Sequence, residues 1–285
     1  NRIWGILEKM SYRNLNKSDQ DFIYQTKIME IKNWVAILAD CLEFMRTIPD
    51  GSIDAIITDP PYWTTACKWD SVIPFEPMWK ELKRIIKPNG AIVLFGSEPF
   101  SSALRMSNIK MYKYDWVWNK TKAWNFIQSR NCPLKLHENI SVFSNGVVIH
   151  KWQSKKRMNY YPQWVKEVNK EWSRPQVYES EHSYKRPSHK TERTITLEWF
   201  PSSVIRFSSE HNPPHPTQKP VALLEYLIKT YSLENEIILD FTSGSWTTWI
   251  AAQNTNRQFI LIEKDKNYYD ISLKRLQENK EKNLL

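Results

Sequence analysis

Four adjacent residues, Asp59-Pro60-Pro61-Tyr62, could together act on an amino group attached to a flat aromatic ring. Such an amine is a weak nucleophile, because its lone pair is delocalised into the ring. A carboxylate and a carbonyl that accept its two N–H bonds would draw the nitrogen towards tetrahedral geometry and turn the lone pair towards an electrophile. Asp59 supplies the carboxylate, Pro60 supplies a carbonyl with no competing N–H, and the two prolines stiffen the turn. Tyr62 offers a ring for stacking, although an ordinary strand exit capped by an aspartate could have the same four residues.

A second group of residues has the layout of a nucleotide-type site. Segment 237–248 contains an apolar strand, a small-residue turn around Gly244 and the start of a helix. In such a unit the backbone amides and the helix N-terminus face the ligand. Glu263 follows another apolar strand, at the spacing of about twenty residues at which an acid can hold ribose hydroxyls. This βαβ unit therefore predicts an adenosine-containing cofactor; the alternative is a plain βαβ unit whose strand-end acid lies at the surface.

The apolar periodicity predicts the elements that must position these residues. Short apolar runs predict strands at 34–38, 53–58, 91–95, 114–118, 140–143, 237–239 and 259–262. Helical spacing predicts helices at 42–48, 75–86, 99–106, 221–231, 247–253 and 268–279. Strands that alternate with helices are typical of a mostly parallel, doubly wound α/β sheet. Because ligands of such sheets bind beyond the carboxyl ends of the strands, Asp59 is expected at the site.

A basic and aromatic stretch interrupts this pattern. Residues 146–200 are polar and rich in aromatic and basic side chains, with no sustained period. We interpret them as a region inserted between two halves of one domain, 29–145 and 201–285, with residues 1–28 as an extension that can lie outside the fold. Lysine and arginine neutralise phosphates, and asparagine, glutamine and arginine read base edges, whereas the alternative is a solvated, variable loop. The candidate DNA contacts are Lys155, Lys156, Arg157, Asn159, Gln163 and Arg174.

The composition narrows the class of protein. The chain of 285 residues has a formal net charge of +9 and a pI of about 9.3, which favours polyanionic partners. Its apolar runs are far shorter than the ~20 residues that span a bilayer, and its first residues lack the order of a secretory signal. Three scattered cysteines predict neither disulfides nor structural zinc, and His215 has no second ligand at a suitable spacing, so we expect no metal. These features favour a reduced, cytoplasmic protein.

The order of the motifs resembles that of the β-group of amino-methylating DNA methyltransferases, in which the catalytic tetrapeptide precedes the cofactor loop. The motifs run in the order Asp40-Cys41, the tetrapeptide at 59–62, the basic insert, His215-Pro216-Thr217-Gln218-Lys219-Pro220, the loop around Gly244, and Glu263. The resemblance extends from about Met29 to the C-terminus. It implies a Rossmann-like methyltransferase fold in which residues 146–200 form the target recognition region.

The resemblance also implies what the residues do. S-Adenosylmethionine is the implied methyl donor and double-stranded DNA the implied substrate, with transfer to the exocyclic amine of a flipped base in a bacterial or phage-infected cell. Asp59, Pro60, Pro61 and Tyr62 are then the catalytic residues. The implied cofactor contacts border the adenine (Asp40, Cys41), flank the methionine end (Thr217, Gln218, Lys219), line the pocket (Asp240, Phe241, Gly244, Ser245) and hold the ribose (Glu263). A cognate restriction endonuclease and a monomeric or homodimeric state are compatible with this class.

Two bases carry an exocyclic amine that this tetrapeptide could hold. Adenine N6 is the preferred target, because residue 59 is aspartate and not serine. N4 of cytosine is the alternative, since the same geometry serves either amine. RNA is a less favoured substrate because the motif order is that of the β-group.

The chain departs from the family pattern at several tryptophans. It has 14 tryptophans and 6 glycines, where an average usage of ~7% would give roughly 20 glycines. Trp246 and Trp249 stand where the family's cofactor loop usually has glycine, and Trp63 and Trp124 stand where it often has small residues. An indole at Trp246 could fill space that the cofactor needs, which predicts a catalytically impaired DNA-binding relative. The competing hypothesis is that UGA codons, which specify glycine in a few bacterial lineages, have been translated as tryptophan.

Overall fold

The computed structural model of the chain describes residues 26–31, 33–62, 71–124, 126–148, 154–173, 192–208, 218–244 and 247–282, with single positions 5, 6, 8, 18 and 23 near the N-terminus. The chain divides into two compact units. The larger unit comprises Asn1–Tyr161 and Ser203–Leu285, and the smaller unit comprises Pro162–Ser202. Within the described ranges, no helix is both long and apolar enough to cross a membrane.

The described elements alternate between strands and helices along most of the chain. The strands are β1 (Lys27–Ile31), β2 (Trp34–Leu38), β3 (Ile53–Thr58), β4 (Ile86–Gly96), β5 (Tyr112–Trp124), β6 (Lys135–Phe143), β7 (Lys166–Ser173), β8 (Glu192–Glu198), β9 (Val204–Phe207), β10 (Ile237–Asp240) and β11 (Gln258–Glu263). The α-helices are α1 (Cys41–Met45), α2 (Phe75–Ile85), α3 (Phe100–Ser107), α4 (Val221–Tyr231), α5 (Thr247–Asn254) and α6 (Lys266–Lys282).

The larger unit is built on one mixed sheet of nine strands in the order β1-β2-β11-β10-β3-β4-β6-β5-β9. The five strands from β2 to β4 in this order are parallel to their neighbours. β6 is antiparallel to both β4 and β5, so β5 and β6 form a hairpin, and β1 is antiparallel to β2. The sheet confirms the predicted mostly parallel α/β architecture.

Helices cover both faces of this sheet. Successive strand residues point to opposite faces, so each strand feeds two cores. In β2, Val35 and Ile37 lie in the core that includes residues of α1, α2 and α3, whereas Trp34 and Ala36 lie in the core that includes residues of α4 and α5. Each face of the sheet is therefore covered by helices, as the doubly wound arrangement predicted from the sequence requires.

Every strand and helix expected from the periodicity is present, but four strands were not expected and some ends differ. β4, β5 and β6 extend well beyond the predicted runs at 91–95, 114–118 and 140–143. The extra length of β5 and β6 carries polar pairs such as Asn119 opposite His137. These pairs form a hairpin ladder without an apolar run, so periodicity alone does not reveal them. β1, β7, β8 and β9 were missed for the same reason or because they are short.

Part of the predicted N-terminal extension packs into the fold. Lys27 and Ile28 belong to β1, which pairs with β2. Ile6 is buried in the core beside α1, and Ile23 packs against that core. An apolar residue at each of these positions explains the packing, although their spacing gives no regular period. These contacts place Ile6, Ile23 and β1 inside the larger unit.

The smaller unit begins later than the predicted insert. Residues 146–161 belong to the larger unit, because Met158 is 3% exposed in one of its cores and the Val147 N–H donates to the Lys156 carbonyl at 2.8 Å. The smaller unit, Pro162–Ser202, contains the antiparallel pair β7–β8. Its proposed role as the target recognition region stays a prediction.

Two tryptophans of the smaller unit have an unusual backbone conformation. Trp164 has φ +63° and Trp199 has φ +67°, and their exposed fractions are 62% and 72%. Positive φ is strained for a bulky side chain and costs glycine nothing. Both positions therefore have a backbone conformation that favours glycine.

Candidate active site

A cavity of about 680 Å³ opens at the carboxyl ends of β2, β3, β10 and β11. This is the edge at which α/β sheets bind ligands. Twelve of the residues singled out from the sequence line this cavity, namely Asp40, Cys41, Asp59, Pro60, Pro61, Tyr62, Gln218, Lys219, Asp240, Phe241, Gly244 and Glu263. Thr217 and Ser245 lie outside the described residues.

Asp59 lies at the centre of a cluster of charges in the cavity. One carboxylate oxygen accepts a hydrogen bond from the Tyr62 hydroxyl, and the other accepts one from the Lys219 ammonium. Lys219 also pairs with Glu138 of β6 at 3.4 Å, and Lys120 of β5 pairs with the other oxygen of Glu138. Tyr62 therefore approaches Asp59 from within the tetrapeptide, whereas the charged partners come from distant parts of the chain.

Burial and the neighbouring charges set the protonation of this cluster. Burial raises the pKa of Asp59, Lys219 opposes that rise, and the negative charge of Glu138 adds to it. Burial would lower the pKa of Lys219, but the two carboxylates raise it above its ordinary value. Burial would raise the pKa of Glu138, but Lys219 and Lys120 hold it below its ordinary value. Lys219 and Glu138 therefore carry their charges at neutral pH.

The ring of Tyr62 is held between aromatic and cationic neighbours. Its centroid lies 5.1 Å from that of Phe100, and the Lys219 ammonium lies 5.9 Å from its centroid. The same ammonium lies 5.3 Å from the centroid of Phe95. Contacts of this kind stabilise a desolvated cation and fix the ring. Tyr62 thus enters the cavity as an oriented aromatic surface.

Hydroxyl groups tie Asp59 to the turn after β10. The Asp240 carboxylate accepts hydrogen bonds from Thr58 and Thr248, each at 2.6 Å, and from the Thr242 N–H at 3.2 Å. The Thr242 hydroxyl donates to the Asp59 carbonyl at 3.1 Å. Burial raises the pKa of Asp240 to about 6, although the hydroxyl donors lower it. The ends of β3 and β10 are therefore joined by direct hydrogen bonds.

Glu263 closes the other side of the turn. One of its oxygens accepts from the Gly244 N–H at 2.8 Å and the other from the Asp265 N–H at 2.7 Å. Burial raises the pKa of Glu263 to about 7, although both N–H donors lower it. Gly244 has φ +51°, a conformation that favours glycine. Glu263 thus holds the turn and presents carboxylate lone pairs to the cavity.

Asp40 and Cys41 form the third side of the cavity. Asp40 caps α1 by accepting from the Leu42 N–H at 2.9 Å, and Lys264 donates to its other oxygen at 3.0 Å. Burial raises the pKa of Cys41 to about 12, and the charge of Asp40 adds to that rise. Cys41 is therefore a neutral thiol that contributes an apolar surface and no nucleophile.

Most of the predicted DNA contacts lie away from the cavity. The Asn159 N–H donates to the Asn89 carbonyl at 2.8 Å, and Asn89 donates to the Lys155 carbonyl at 3.1 Å. Asn89 lies in the first half of β4, whereas Phe95 and Ser97 at the other end of that strand line the cavity. Lys155, Lys156 and Arg157 are exposed at that opposite edge.

The assignment of these residues as DNA contacts stays a prediction. Gln163 lies in the smaller unit, and Arg174 is outside the described residues. The segment around residue 157 is held to the larger unit by backbone hydrogen bonds, which a count of charges along the chain cannot reveal.

The sequence reasoning missed Lys120, Glu138 and the hydroxyls of Thr58 and Thr248. Glu138 and Lys120 each stand two residues outside a predicted strand, where charged residues are unremarkable. Their meeting depends on the register of β5 and β6, which places Trp118 opposite Glu138. Among the described residues, no cluster of histidine, cysteine, aspartate or glutamate could hold a metal ion.

Comparison with known proteins gives the family. The model of the N6/N4 DNA methylase family matches residues 53–274. The chain belongs to this family. The type II methyltransferase M.HinfI of Haemophilus influenzae is 30% identical over 85% of this chain and 67% of its own length. The type II methyltransferase M2.DpnII of Streptococcus pneumoniae is 26% identical over 98% of this chain and 97% of its own length.

Solved structures share the fold. The complex of M1.HpyAVI with S-adenosylmethionine has a TM-score of 0.54 and 24% identity, and the match covers 84% of this chain and 98% of that one. PvuII DNA methyltransferase, described as cytosine-N4-specific, has a TM-score of 0.60 and 15% identity, with 85% and 86% covered. These likenesses confirm the Rossmann-like methyltransferase fold predicted from the motif order.

The hydroxyl contacts of Asp240 predict a pH-dependent loss of stability. Thr248→Val keeps the shape of the side chain and removes one donor to the buried carboxylate, which costs about 2 kcal/mol of unfolding free energy. The loss is expected at pH 8 and shrinks as the pH falls through about 6, where Asp240 becomes protonated.

Urea denaturation at pH 8 and at pH 5 measures this difference. Thr121→Val, at an exposed position of β5, is the control and should change stability little at either pH. An equal loss for Thr248→Val at both values would contradict a role in stabilising the ionised carboxylate.

Proposed function

We propose that the chain transfers the methyl group of S-adenosylmethionine to the exocyclic amine of a flipped base in double-stranded DNA, with adenine N6 as the target. The observation that carries the proposal is that Asp59 and the Gly244 turn line one cavity, with the Thr242 hydroxyl bonded to the Asp59 carbonyl. A base held at Asp59 and a cofactor held at Gly244 would therefore be neighbours. Proximity and alignment supply most of the rate in a transfer of this kind.

The residues of the cavity fit this cofactor. A volume of about 680 Å³ lies within the range of small-molecule sites. Asp240 and Glu263 are buried acceptors that suit hydroxyl donors. The Thr247 hydroxyl lines the cavity and has no hydrogen-bond partner among the described residues. S-Adenosylmethionine, when bound, supplies an electrophilic methyl group on a sulfonium.

The tetrapeptide holds the other reactant. Each oxygen of Asp59 has a lone pair left after its bond to Tyr62 or Lys219, so it can accept one N–H of the base amine. The Pro60 carbonyl accepts the second N–H, and the base stacks on Tyr62. The amine nitrogen then presents its lone pair towards the cofactor side of the cavity. These residues act by orientation, and no covalent enzyme intermediate is needed.

The proposal is tested by incubating wild-type protein with S-adenosylmethionine and unmethylated genomic DNA, followed by mass spectrometry of the nucleosides. N6-methyl-2′-deoxyadenosine is expected, because residue 59 is aspartate. N4-methyl-2′-deoxycytidine would instead establish the alternative target. If neither modified nucleoside is detected, the proposed activity is wrong.

Asp59→Ala is expected to reduce methylation by about 10³-fold or more, since it removes an acceptor that acts in the transition state. Duplex binding should stay within about twofold of the wild type, because DNA affinity depends mainly on phosphate contacts. Methylation is measured by incorporation of labelled methyl groups and binding by fluorescence anisotropy. Equal losses in both would argue against the role assigned to Asp59.

The β5–β6 hairpin is our candidate DNA surface beside the cavity, and residues 155–159 lie at the opposite edge of the sheet. β4 ends at Gly96, opposite Asn139, so the four residues Lys135–Glu138 of β6 extend beyond the sheet edge by roughly 13 Å. The segment from 119 to 135 contains four basic residues and no acid. Lys122 and Arg130 are exposed, as are Phe126 and Ile127 at 66% and 99%. A basic tip beside the cavity suits a duplex with an extruded base.

Lys122→Ala with Arg130→Ala is therefore expected to weaken duplex binding and to reduce the slope of log Kd against log salt concentration by about 2. The matched control is Lys155→Ala with Lys156→Ala, which removes the same charge from the opposite edge and should leave the slope nearly unchanged. Salt titrations by anisotropy distinguish the two pairs. If the Lys155→Ala and Lys156→Ala pair reduced the slope and the Lys122→Ala and Arg130→Ala pair did not, the DNA surface would instead include residues 155–159.

The proposed partners follow from the class of enzyme. Double-stranded DNA is the substrate, and a cognate restriction endonuclease fits the type II relatives. A cytoplasmic monomer or homodimer of a bacterial or phage-infected cell remains our prediction.

The catalytically impaired alternative depends on Trp246, which lies outside the described residues together with Trp63. Other tryptophans support translation of glycine codons as tryptophan. The indole N–H groups of Trp79, Trp116 and Trp118 donate to Ser107, Tyr231 and Phe207, as genuine buried tryptophans should. The buried indole N–H of Trp249 has no partner among the described residues. Trp164 and Trp199 have the positive φ that favours glycine.

Trp246→Gly is expected to tighten binding of S-adenosylhomocysteine by at least about tenfold, equivalent to roughly 1.4 kcal/mol, because it removes an indole from the cofactor loop. Isothermal titration measures the change. Trp118→Gly is the control and should destabilise the fold, because this indole is 2% exposed and hydrogen-bonded. Unchanged affinity for Trp246→Gly, or UGG codons at all three of positions 63, 246 and 249, would contradict the glycine interpretation.

A further inference from the structure

Four charged side chains of alternating sign form a continuous chain through the cavity wall. Lys120 pairs with Glu138, Glu138 pairs with Lys219, and Lys219 pairs with Asp59. The exposed fractions of the Lys120, Glu138 and Lys219 side chains are 13%, 13% and 8%. The residues come from β5, β6, the segment before α4 and the turn after β3. Four separate segments therefore converge on one largely desolvated set of charges.

An arrangement of this kind adds little to stability in itself. Desolvation of two ions offsets most of their mutual attraction, and apolar residues of similar volume often stabilise a fold more. Other salt bridges of the described residues are surface pairs, such as Lys266 with Asp270, or short partly buried groups, such as Lys87 with Asp54, that lie away from the cavity. The buried chain of charges ends at Asp59, the residue proposed to hold the base. Its position points to a role in the reaction more than in folding.

We propose that Glu138, backed by Lys120, is a positioning residue that shares the Lys219 ammonium with Asp59 and so leaves the Asp59 carboxylate available to the base amine. This inference rests on the proposed function. Without Glu138, Lys219 would pair with Asp59 alone and would compete with the amine for the same oxygens. Without Lys120, Glu138 would draw Lys219 away from Asp59. The two outer residues thus balance the hold of Lys219 on the catalytic carboxylate.

Replacing Glu138 and replacing Lys120 should shift the pKa of Asp59 in opposite directions. The charged and titratable groups that face Asp59 are Lys219 before α4, Glu138 on β6 with Lys120 behind it on β5, Asp240 on β10, and Tyr62. Glu138 raises the pKa of Asp59, because like charges oppose ionisation. Removing Glu138 therefore lowers that pKa, whereas removing Lys120 raises it.

The experiment compares Glu138→Gln and Lys120→Met with the wild type in full pH profiles of kcat, on DNA that the wild type methylates. For Glu138→Gln we expect kcat to fall by about tenfold, as for other groups that orient an active residue. The acidic limb of its pH profile should shift to lower pH by roughly one unit. For Lys120→Met the acidic limb should move up. KM for DNA should change by less than about threefold in both.

Controls separate positioning from folding. Asp54→Asn neutralises another buried strand carboxylate, which pairs with Lys87 and accepts from the Ile237 N–H, far from the cavity edge. It should lower stability in urea without moving the acidic limb. Glu138→Asp keeps the charge and should restore part of kcat. Binding of S-adenosylhomocysteine, measured by titration, should remain near the wild-type value in both charge variants.

Three results would overturn the inference. The first is that Glu138→Gln leaves the acidic limb of the pH profile of kcat where it is in the wild type. The second is that this limb shifts in the same direction in Glu138→Gln and Lys120→Met. The third is that the pH profile of Glu138→Gln matches that of Asp54→Asn. If Glu138→Gln does not fold, the direction of the shift in Lys120→Met decides alone. Failure of the proposed function is a separate outcome, because the wild type would then methylate no DNA.

Discussion

The constraint on which the site depends is the burial of Lys219 between two carboxylates. A buried ammonium is costly unless charged partners surround it, so Asp59 and Glu138 must both be present when the cavity wall forms. Asp59 comes from the end of β3, whereas Glu138 comes from a strand antiparallel to β4. The parallel half of the sheet and the β5–β6 hairpin are therefore joined at the point where the chemistry is proposed.

The site could be predicted where its residues are close in sequence or follow a strand. Asp59, Asp240 and Glu263 each stand at the end of an apolar run, and the carboxyl ends of parallel strands meet at one edge of the sheet. That rule brought most of the predicted cofactor residues to one cavity. Lys120 and Glu138 follow no such rule, because the register of a polar hairpin decides what they face.

The fold shows the same division between local and long-range information. Buried strands with apolar runs were predicted closely, as in Trp34–Leu38 and Ile53–Thr58. The basic residues Lys155 to Arg157 were assigned from charge alone, and their position at the opposite edge of β4 follows from backbone contacts of Asn89 that leave no mark in composition. A cluster of charged residues in the sequence does not show at which edge of the sheet these residues lie in the fold.

The carboxyl groups with raised pKa values are concentrated in this cavity. Asp59, Asp240 and Glu263 are each raised chiefly by burial, and all three line it. Such groups reduce stability as they ionise, since the unfolded chain holds their charges more easily. A fold that only needed stability would have apolar residues there. Under the proposed function the ligand restores the balance, because ribose hydroxyls donate to carboxylates and a sulfonium brings a positive charge. Bound cofactor should thus be worth more to this site than its contact area alone implies, since it offsets the mutual repulsion of these carboxylates.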